Sequence, residues 1–145
     1  MSKVRFLHGA PDRLAAAAEW LRQAWEERRP VYVFAPEAAQ AERLDRLLWT
    51  QPAIGFIPHC AGDSPLAGET PIVIAGNPEA AGQFGCLLNL ADEVPPAFSR
   101  FEELVEIVSG EDSVRLPARE RFKFYRERGY TLDNQDISPA GRAHG

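Results

Sequence analysis

Residues 11–50, PDRLAAAAEWLRQAWEERRPVYVFAPEAAQAERLDRLLWT, place a short apolar run between two segments with helical periodicity. The run is VYVF at 31–34, whose β-branched and aromatic side chains favour a buried strand. On either side of it, in 11–29 and in 36–50, apolar residues recur at the spacing of one helix face. Ahead of the first helix, KVRFLHG at 3–9 predicts another strand. This alternation of strands and helices is typical of an α/β fold with a parallel sheet.

Three further strands are predicted downstream of the second helix. They are PIVIA at 71–75, CLLNLA at 86–91 and FEELVEIV at 101–108. Prolines and glycines punctuate the segment from 51 to 85 and favour loops there. The prediction is therefore a single-domain α/β fold, with a mostly parallel sheet and flanking helices.

A last helix is predicted over 112–129. Asp112 or Ser113 suits its N-cap, and Gly129 suits its end. Pro117 leaves two alternatives: the helix proper begins there, or its first turn is irregular.

The size and composition of the chain indicate one globular domain. With 145 residues, 45% hydrophobic and 26% charged, we expect the domain to cover 1–135 and a flexible tail to cover 136–145. The net charge of -5 argues against a general nucleic-acid coat. No stretch of 18 consecutive apolar residues and no signal peptide is visible, so we expect a cytoplasmic protein that does not contact membranes.

Motifs for nucleotide, metal or catalytic chemistry are not visible in the sequence. Neither G-x-x-x-x-G-K-[ST] nor G-x-G-x-x-G stands between the first strand and helix. His8, His59 and His144 lie far apart, and Cys60 and Cys86 do not have the spacing of metal ligands. We therefore predict no catalytic residue, no metal and no cofactor, and the roles of His59, Cys60 and Cys86 stay open.

Positive charge is concentrated near the end of this acidic chain. ARERFKFYRERGY at 118–130 carries five basic and two acidic side chains. Residues three, four, seven and eight apart share one face of a helix. By that spacing, the predicted helix carries a cationic stripe made of Arg115, Arg119, Phe122, Lys123 and Arg126.

Other large side chains of this helix fall outside the cationic stripe. Phe124 and Tyr125 are expected to pack on the sheet. Arg121 and Arg128 stand beside glutamates and are expected to be solvated charges.

A cationic stripe around an aromatic ring suits a short acidic peptide that ends in a hydrophobic residue. Arginine binds a terminal carboxylate through two parallel hydrogen bonds, and aromatic surface buries an apolar side chain. Single-stranded DNA is the alternative ligand, with bases stacked on Phe122 or Tyr125. A third interpretation is an ordinary solvated helix face. One small basic patch on an acidic protein favours the peptide.

Three stretches together resemble a known family. FAPEAAQAERLDRLLWT at 34–50, FIPH at 56–59 and EDSVRLPARERFKFYRERGY at 111–130 are similar to the chi subunit of bacterial DNA polymerase III, an accessory protein of the clamp-loader complex. The match runs in order from about residue 4 to residue 133. The resemblance implies a mononucleotide-binding-like α/β fold that lacks a phosphate loop and nucleotide chemistry.

The resemblance also implies a peptide partner, the acidic, phenylalanine-ended C-terminal tail of single-strand DNA-binding protein. Of the matching positions, Arg119 takes the terminal carboxylate, and Arg115 and Lys123 take acidic side chains. Phe122, where relatives carry a tyrosine, takes the terminal ring, and Val108 belongs to the apolar wall.

A second partner follows from the same resemblance. The psi subunit of the clamp loader docks, in the family, on the region that matches Trp49 and Phe56. The leading hypothesis is a non-catalytic module that links protein-coated single strands to the clamp loader and contacts DNA only indirectly. The alternative is a direct single-stranded nucleic-acid binder, or an enzyme of nucleic-acid metabolism, that uses the same basic patch.

Overall fold

The computed structural model of the chain describes residues 3–27, 29–50, 59–61, 72–75 and 85–138, with the backbone alone at 49, 50, 59–61 and 75. These residues form one sheet with helices packed on both faces. The strands are β1 (Lys3–Ala10), β2 (Val31–Phe34), β3 (His59–Ala61), β4 (Ile72–Ala75), β5 (Cys86–Asn89), β6 (Glu103–Ser109) and β7 (Thr131–Asp136). The helices are α1 (Arg13–Glu26), α2 (Ala38–Thr50) and α3 (Asp112–Glu127), and a 3-10 turn covers Phe98–Arg100.

The sheet has seven strands in the order β3-β4-β2-β5-β6-β1-β7. Each strand pair among the described residues is parallel. The central strands β2 and β5 are almost entirely buried, as expected for parallel strands covered on both faces. The predicted α/β class with a mostly parallel sheet is confirmed.

The helices cover opposite faces of the sheet. From β1 the chain moves through α1 and α2 toward the β3 edge, whereas from β6 it returns through α3 toward the β7 edge. Right-handed crossovers in opposite directions place their helices on opposite faces. One apolar cluster accordingly includes Leu21 of α1 and Leu44 of α2, and a second includes Ala118 and Tyr125 of α3. None of the helices in the described ranges is long and apolar enough to cross a membrane.

Strand β6 shows how the two faces divide its side chains. Alternate residues of a strand point to opposite faces. Val105 and Ile107 belong to the cluster under α1 and α2, and Leu104 and Val108 belong to the cluster under α3. Glu106 lies between Leu104 and Val108 on the face of α3, so this strand places a carboxylate in the interior.

Two strands, β3 and β7, were not predicted from the sequence. Strand β7 pairs in parallel with β1 along its whole length, and most of its side chains are exposed. Beyond it, the Ile137 amide donates to the His8 carbonyl at 2.8 Å. Residues 139–145 lie outside the described residues, so the flexible tail stays a prediction.

The position of Cys86 separates it from Cys60. Two strands, β4 and β2, lie between β3, which contains Cys60, and β5, which contains Cys86. At about 4.8 Å per strand, this separates the two backbones by roughly 14 Å, twice the reach of a disulfide. Burial raises the pKa of the Cys86 thiol to about 12, so this buried, free cysteine stays protonated.

Candidate functional site

Helix α3 is continuous from Asp112 to Glu127 and includes Pro117. Glu111 is its N-cap, with extended backbone, so the prediction of Asp112 or Ser113 as N-cap is wrong. Asp112 already lies in the first turn, where a negative charge is favourable beside the free amides of the helix. The helix does not begin at Pro117 but runs through it, although proline lacks the amide that would have bonded to the Ser113 carbonyl.

The end of α3 was predicted correctly at Gly129. This glycine has φ +82°, in the left-handed region that disfavours side chains. Its amide donates to the Arg126 carbonyl at 3.1 Å, and the Tyr130 amide donates to the Tyr125 carbonyl at 3.2 Å. This pair of bonds is the Schellman motif, which satisfies the last carbonyls of the helix.

The cationic stripe lies along one flank of α3. At about 100° per residue, its five members fall within an arc of roughly 100° around the helix axis. Arg119 and Lys123 are exposed on this flank, and Arg115 and Phe122 are half-buried. The structure thus brings together the predicted tail-binding positions of this helix, and their role in binding stays a prediction.

The cations of the stripe differ in how far they are neutralised within the chain. Arg115 Nη2 pairs with Asp112 Oδ1 at 2.6 Å, one helical turn earlier. Arg119 and Lys123 form no ion pair with any residue in the described part of the chain. The uncompensated positive charge of the stripe therefore lies at Arg119 and Lys123, together with Arg126, which is exposed and likewise unpaired among the described residues.

The apolar part of the predicted site is mostly taken up by core packing. The Phe122 ring meets Phe6 of β1 edge to face, with 5.1 Å between ring centroids. Val108 is buried, with 7% of its surface exposed, and belongs to the same apolar cluster as Phe122. Val108 therefore belongs to the interior on this side of the sheet and offers little surface of its own to a ligand.

Arg121 is buried, and the prediction that it is a solvated charge is wrong. Only 3% of its surface is exposed. Its Nε and Nη2 atoms donate to the two carboxylate oxygens of Glu106 at 2.9 and 3.1 Å. The helical spacing correctly separated Arg121 from the stripe, but the face it occupies is the one that packs on the sheet.

The Glu106 carboxylate holds α3 to the sheet through a buried network. Tyr125 Oη donates to it at 2.8 Å and Asn89 Nδ2 at 3.0 Å. Burial raises the pKa of Tyr125, and the nearby carboxylate raises it further, so the phenol stays a donor. Sequence reasoning did not identify Glu106, although its inward position between Leu104 and Val108 in the alternating strand was a visible signal.

A cleft of about 620 Å³ opens at the carboxyl edge of the sheet, where α/β proteins commonly bind ligands. The first turns of α1, α2 and α3 border it. Acidic side chains outnumber basic ones in its lining, which includes Asp12, Glu37, Asp92, Glu93 and Glu111 beside Arg13 and Arg43. Asp12 itself caps α1 by accepting the amides of Leu14 and Ala15. Carboxylates therefore stand where a phosphate would approach the helix ends, which disfavours nucleotide binding.

The protein-family model for "DNA polymerase III chi subunit, HolC" matches residues 1–133. The chain belongs to this family. The resemblance seen in the sequence is thereby confirmed over nearly the whole chain.

Three curated relatives carry the name DNA polymerase III subunit chi. The Pseudomonas aeruginosa protein is 32% identical over 125 residues, which cover 86% of this chain and 87% of the relative. The Escherichia coli protein is 34% identical, with 75% of both chains covered. The Haemophilus influenzae protein is 27% identical, with 78% of this chain and 79% of the relative covered. The family is therefore a subunit family of a replicative DNA polymerase.

The second surface expected for a chi-like protein lies outside the described side chains. Trp49 is in α2, where only its backbone is described, and Phe56 lies outside the described residues. The side chains of His59 and Cys60 in β3 are likewise not described. Among the described residues, no group of three or more His, Cys, Asp or Glu side chains could hold a metal ion.

Proposed function

We propose that the chain is a non-catalytic accessory subunit of DNA polymerase III that binds the acidic C-terminal tail of single-strand DNA-binding protein. Membership of the chi family supports the place in the polymerase. The observation that carries the tail-binding proposal is the pair of exposed cations, Arg119 and Lys123, without an ion-pair partner in the described part of α3 or its surroundings. They neighbour the half-buried Phe122 on the same flank of the helix.

The proposed roles follow from the chemistry of each side chain. Arg119 binds the terminal carboxylate of the tail, because its planar fork matches a carboxylate in two hydrogen bonds. Lys123 and Arg115 attract acidic side chains, and Phe122 receives the terminal aromatic ring. Hydrogen bonds to charged groups contribute about 1.5–3 kcal/mol each, and association costs leave an affinity on the order of micromolar.

The tail links two assemblies in this proposal. Single-strand DNA-binding protein covers the exposed strand, and the chain connects it to the clamp loader without contacting DNA itself. The proposed place of action is the bacterial cytoplasm, at the replication fork.

Direct binding of single-stranded DNA is the weaker alternative. One of the two rings proposed for base stacking, Tyr125, is fully buried and donates its hydroxyl to Glu106. The other, Phe122, is half-buried against Phe6. Stacking of successive bases needs more than one open ring, whereas the single terminal ring of the peptide needs only the exposed part of Phe122, so these contacts favour the peptide.

Calorimetric titration of the whole chain tests the proposal. The ligands are an aspartate-rich peptide ending in phenylalanine, the same peptide with an amidated C-terminus, and a bare oligonucleotide. We expect micromolar binding of the free acid, at least about tenfold weaker binding of the amide, and weakening by salt because exposed charge pairs are screened. Equal binding of acid and amide, or tight binding of the oligonucleotide alone, contradicts the proposal. Hydrolysis of nucleotide or DNA by the pure protein would contradict the non-catalytic role.

We further propose that psi docks on the region of Trp49 and Phe56. This rests on the family resemblance, and large aromatic side chains often carry most of the energy of an interface. Co-purification of psi with the wild type and with Trp49→Ala is the measurement. Retention of psi by the variant contradicts the proposal.

A further inference from the structure

Of the two donors on one edge of the Arg115 guanidinium, only one has a hydrogen-bond partner. Its Nη2 atom pairs with Asp112 Oδ1 at 2.6 Å, one turn earlier on α3. Its Nε atom is buried and has no hydrogen-bond partner. One edge of this side chain therefore presents one satisfied and one unsatisfied donor, and an unsatisfied buried donor is costly.

In Arg121, on the same helix, both donors of the corresponding edge are hydrogen-bonded. There the carboxylate of Glu106 accepts from Nε at 2.9 Å with one oxygen and from Nη2 at 3.1 Å with the other. Two parallel bonds of this kind are the strongest arrangement between arginine and a carboxylate. Asp112 makes only the Nη2 bond to Arg115.

We propose that Asp112 is an intramolecular competitor for Arg115. A carboxylate of the acidic ligand displaces it from Nη2, and the guanidinium turns outward so that the buried Nε donates to the same carboxylate. This inference rests on the proposed function, because it concerns the ligand of the same cationic stripe. In the free protein Asp112 stands in for an acidic residue of the ligand, and each binding event must break that ion pair.

Breaking the ion pair between Arg115 and Asp112 costs little free energy. The side chains of Arg115 and Asp112 are 40% and 74% exposed. Exposed ion pairs are weak because water and salt screen them. Asp112 also lies in the first turn of α3, where its charge is favourable for the helix and remains so after Arg115 is released. Asp112 thus lowers the affinity of the stripe while stabilising the helix that carries it.

Titration of the free-acid peptide into Asp112→Asn tests the inference. We expect binding about two- to fivefold tighter than that of the wild type, since an exposed pair of this strength is removed. Glu120→Gln is the matched control: it removes the same charge from an exposed position on the same helix, outside the stripe. Its gain should be smaller. In an Arg115→Ala background, Asp112→Asn should give no larger gain than the control.

The outcomes separate the inference from the proposed function. A helix weakened by Asp112→Asn cannot bind more tightly for that reason, so a gain in affinity is not a folding effect. Peptide binding without a gain, a gain equal to that of Glu120→Gln, or a gain that persists without Arg115 overturns the inference alone. Absence of binding by the wild type and the variant overturns both.

Discussion

The carboxylate of Glu106 is fully buried and accepts hydrogen bonds from Arg121, Tyr125 and Asn89. Burial of a charge is costly unless it is paired and hydrogen-bonded, and here four donor atoms of these three residues offset that cost. The charge pattern of the last helix could not predict this. Helical spacing places Arg121 on one face of α3. That this face packs against the sheet follows only from the position of Glu106 on β6, whose buried carboxylate pairs with Arg121.

Arg121→Ala should lower the free energy of unfolding by about 3–5 kcal/mol, because it leaves the buried Glu106 carboxylate without its cation. Arg126→Ala is the control, since it removes an exposed cation from the same helix and should change stability by less than about 0.5 kcal/mol. Urea unfolding measures both. A loss below about 1 kcal/mol in Arg121→Ala would show that the network contributes little.

Tyr125 should make stability depend on pH in the alkaline range. Its pKa is raised in the folded state, mainly by burial, whereas the pKa of a tyrosine in the unfolded state is about 10. Above that pH the unfolded state binds fewer protons than the folded state, so stability falls as pH rises. Tyr125→Phe should remove about one proton, or about 1.4 kcal/mol per pH unit, from that slope. Urea unfolding between pH 9 and 11 measures it, and an unchanged slope would contradict a protonated, buried phenol.

Helix α3 and strand β7 differ in how much the sequence could say about them. The helix was predicted to within a few residues, since its periodicity and Gly129 mark it clearly. Strand β7, with the sequence TLDNQD, was missed because it is an edge strand with mostly exposed side chains. Its pairing with β1 depends on backbone groups, which carry no sequence signal.

Gly129→Ala should lower the free energy of unfolding by about 1–2 kcal/mol. Apart from the adjacent residues, no atom lies within 4 Å of the position that an alanine Cβ would take at residue 129, so the cost comes from the φ of +82°. Gly110→Ala is the control, because Gly110 has equal space and no positive φ. Thermal unfolding of both variants gives the comparison, and equal stabilities would exclude a conformational cost at the end of α3.

For the molecule as a whole, the sequence predicted the α/β class and the parallel sheet from VYVF and the helices around it. The cationic stripe was also predictable, because one continuous helix contains it and helical spacing fixes its members. The contacts that hold the stripe against the sheet could not be predicted from the sequence. The contact of Phe122 with Phe6, for example, joins residues 116 positions apart, and no local pattern encodes it. Two helices on one face leave the other face to α3, and this separation sets the stripe apart from the region of α2 proposed for psi.

The affinity of the free-acid peptide for Arg119→Ala, compared with Arg43→Ala, tests most directly whether the cationic stripe is a ligand site. Both variants remove an exposed arginine, one from the stripe and one from α2 on the opposite face of the sheet. We expect Arg119→Ala to bind about tenfold to a hundredfold more weakly than the wild type, because a charged hydrogen-bonded contact is lost. Arg43→Ala should stay within about twofold of the wild type, since its charge is distant and screened. Binding by Arg119→Ala at wild-type strength would contradict a ligand site on the cationic stripe.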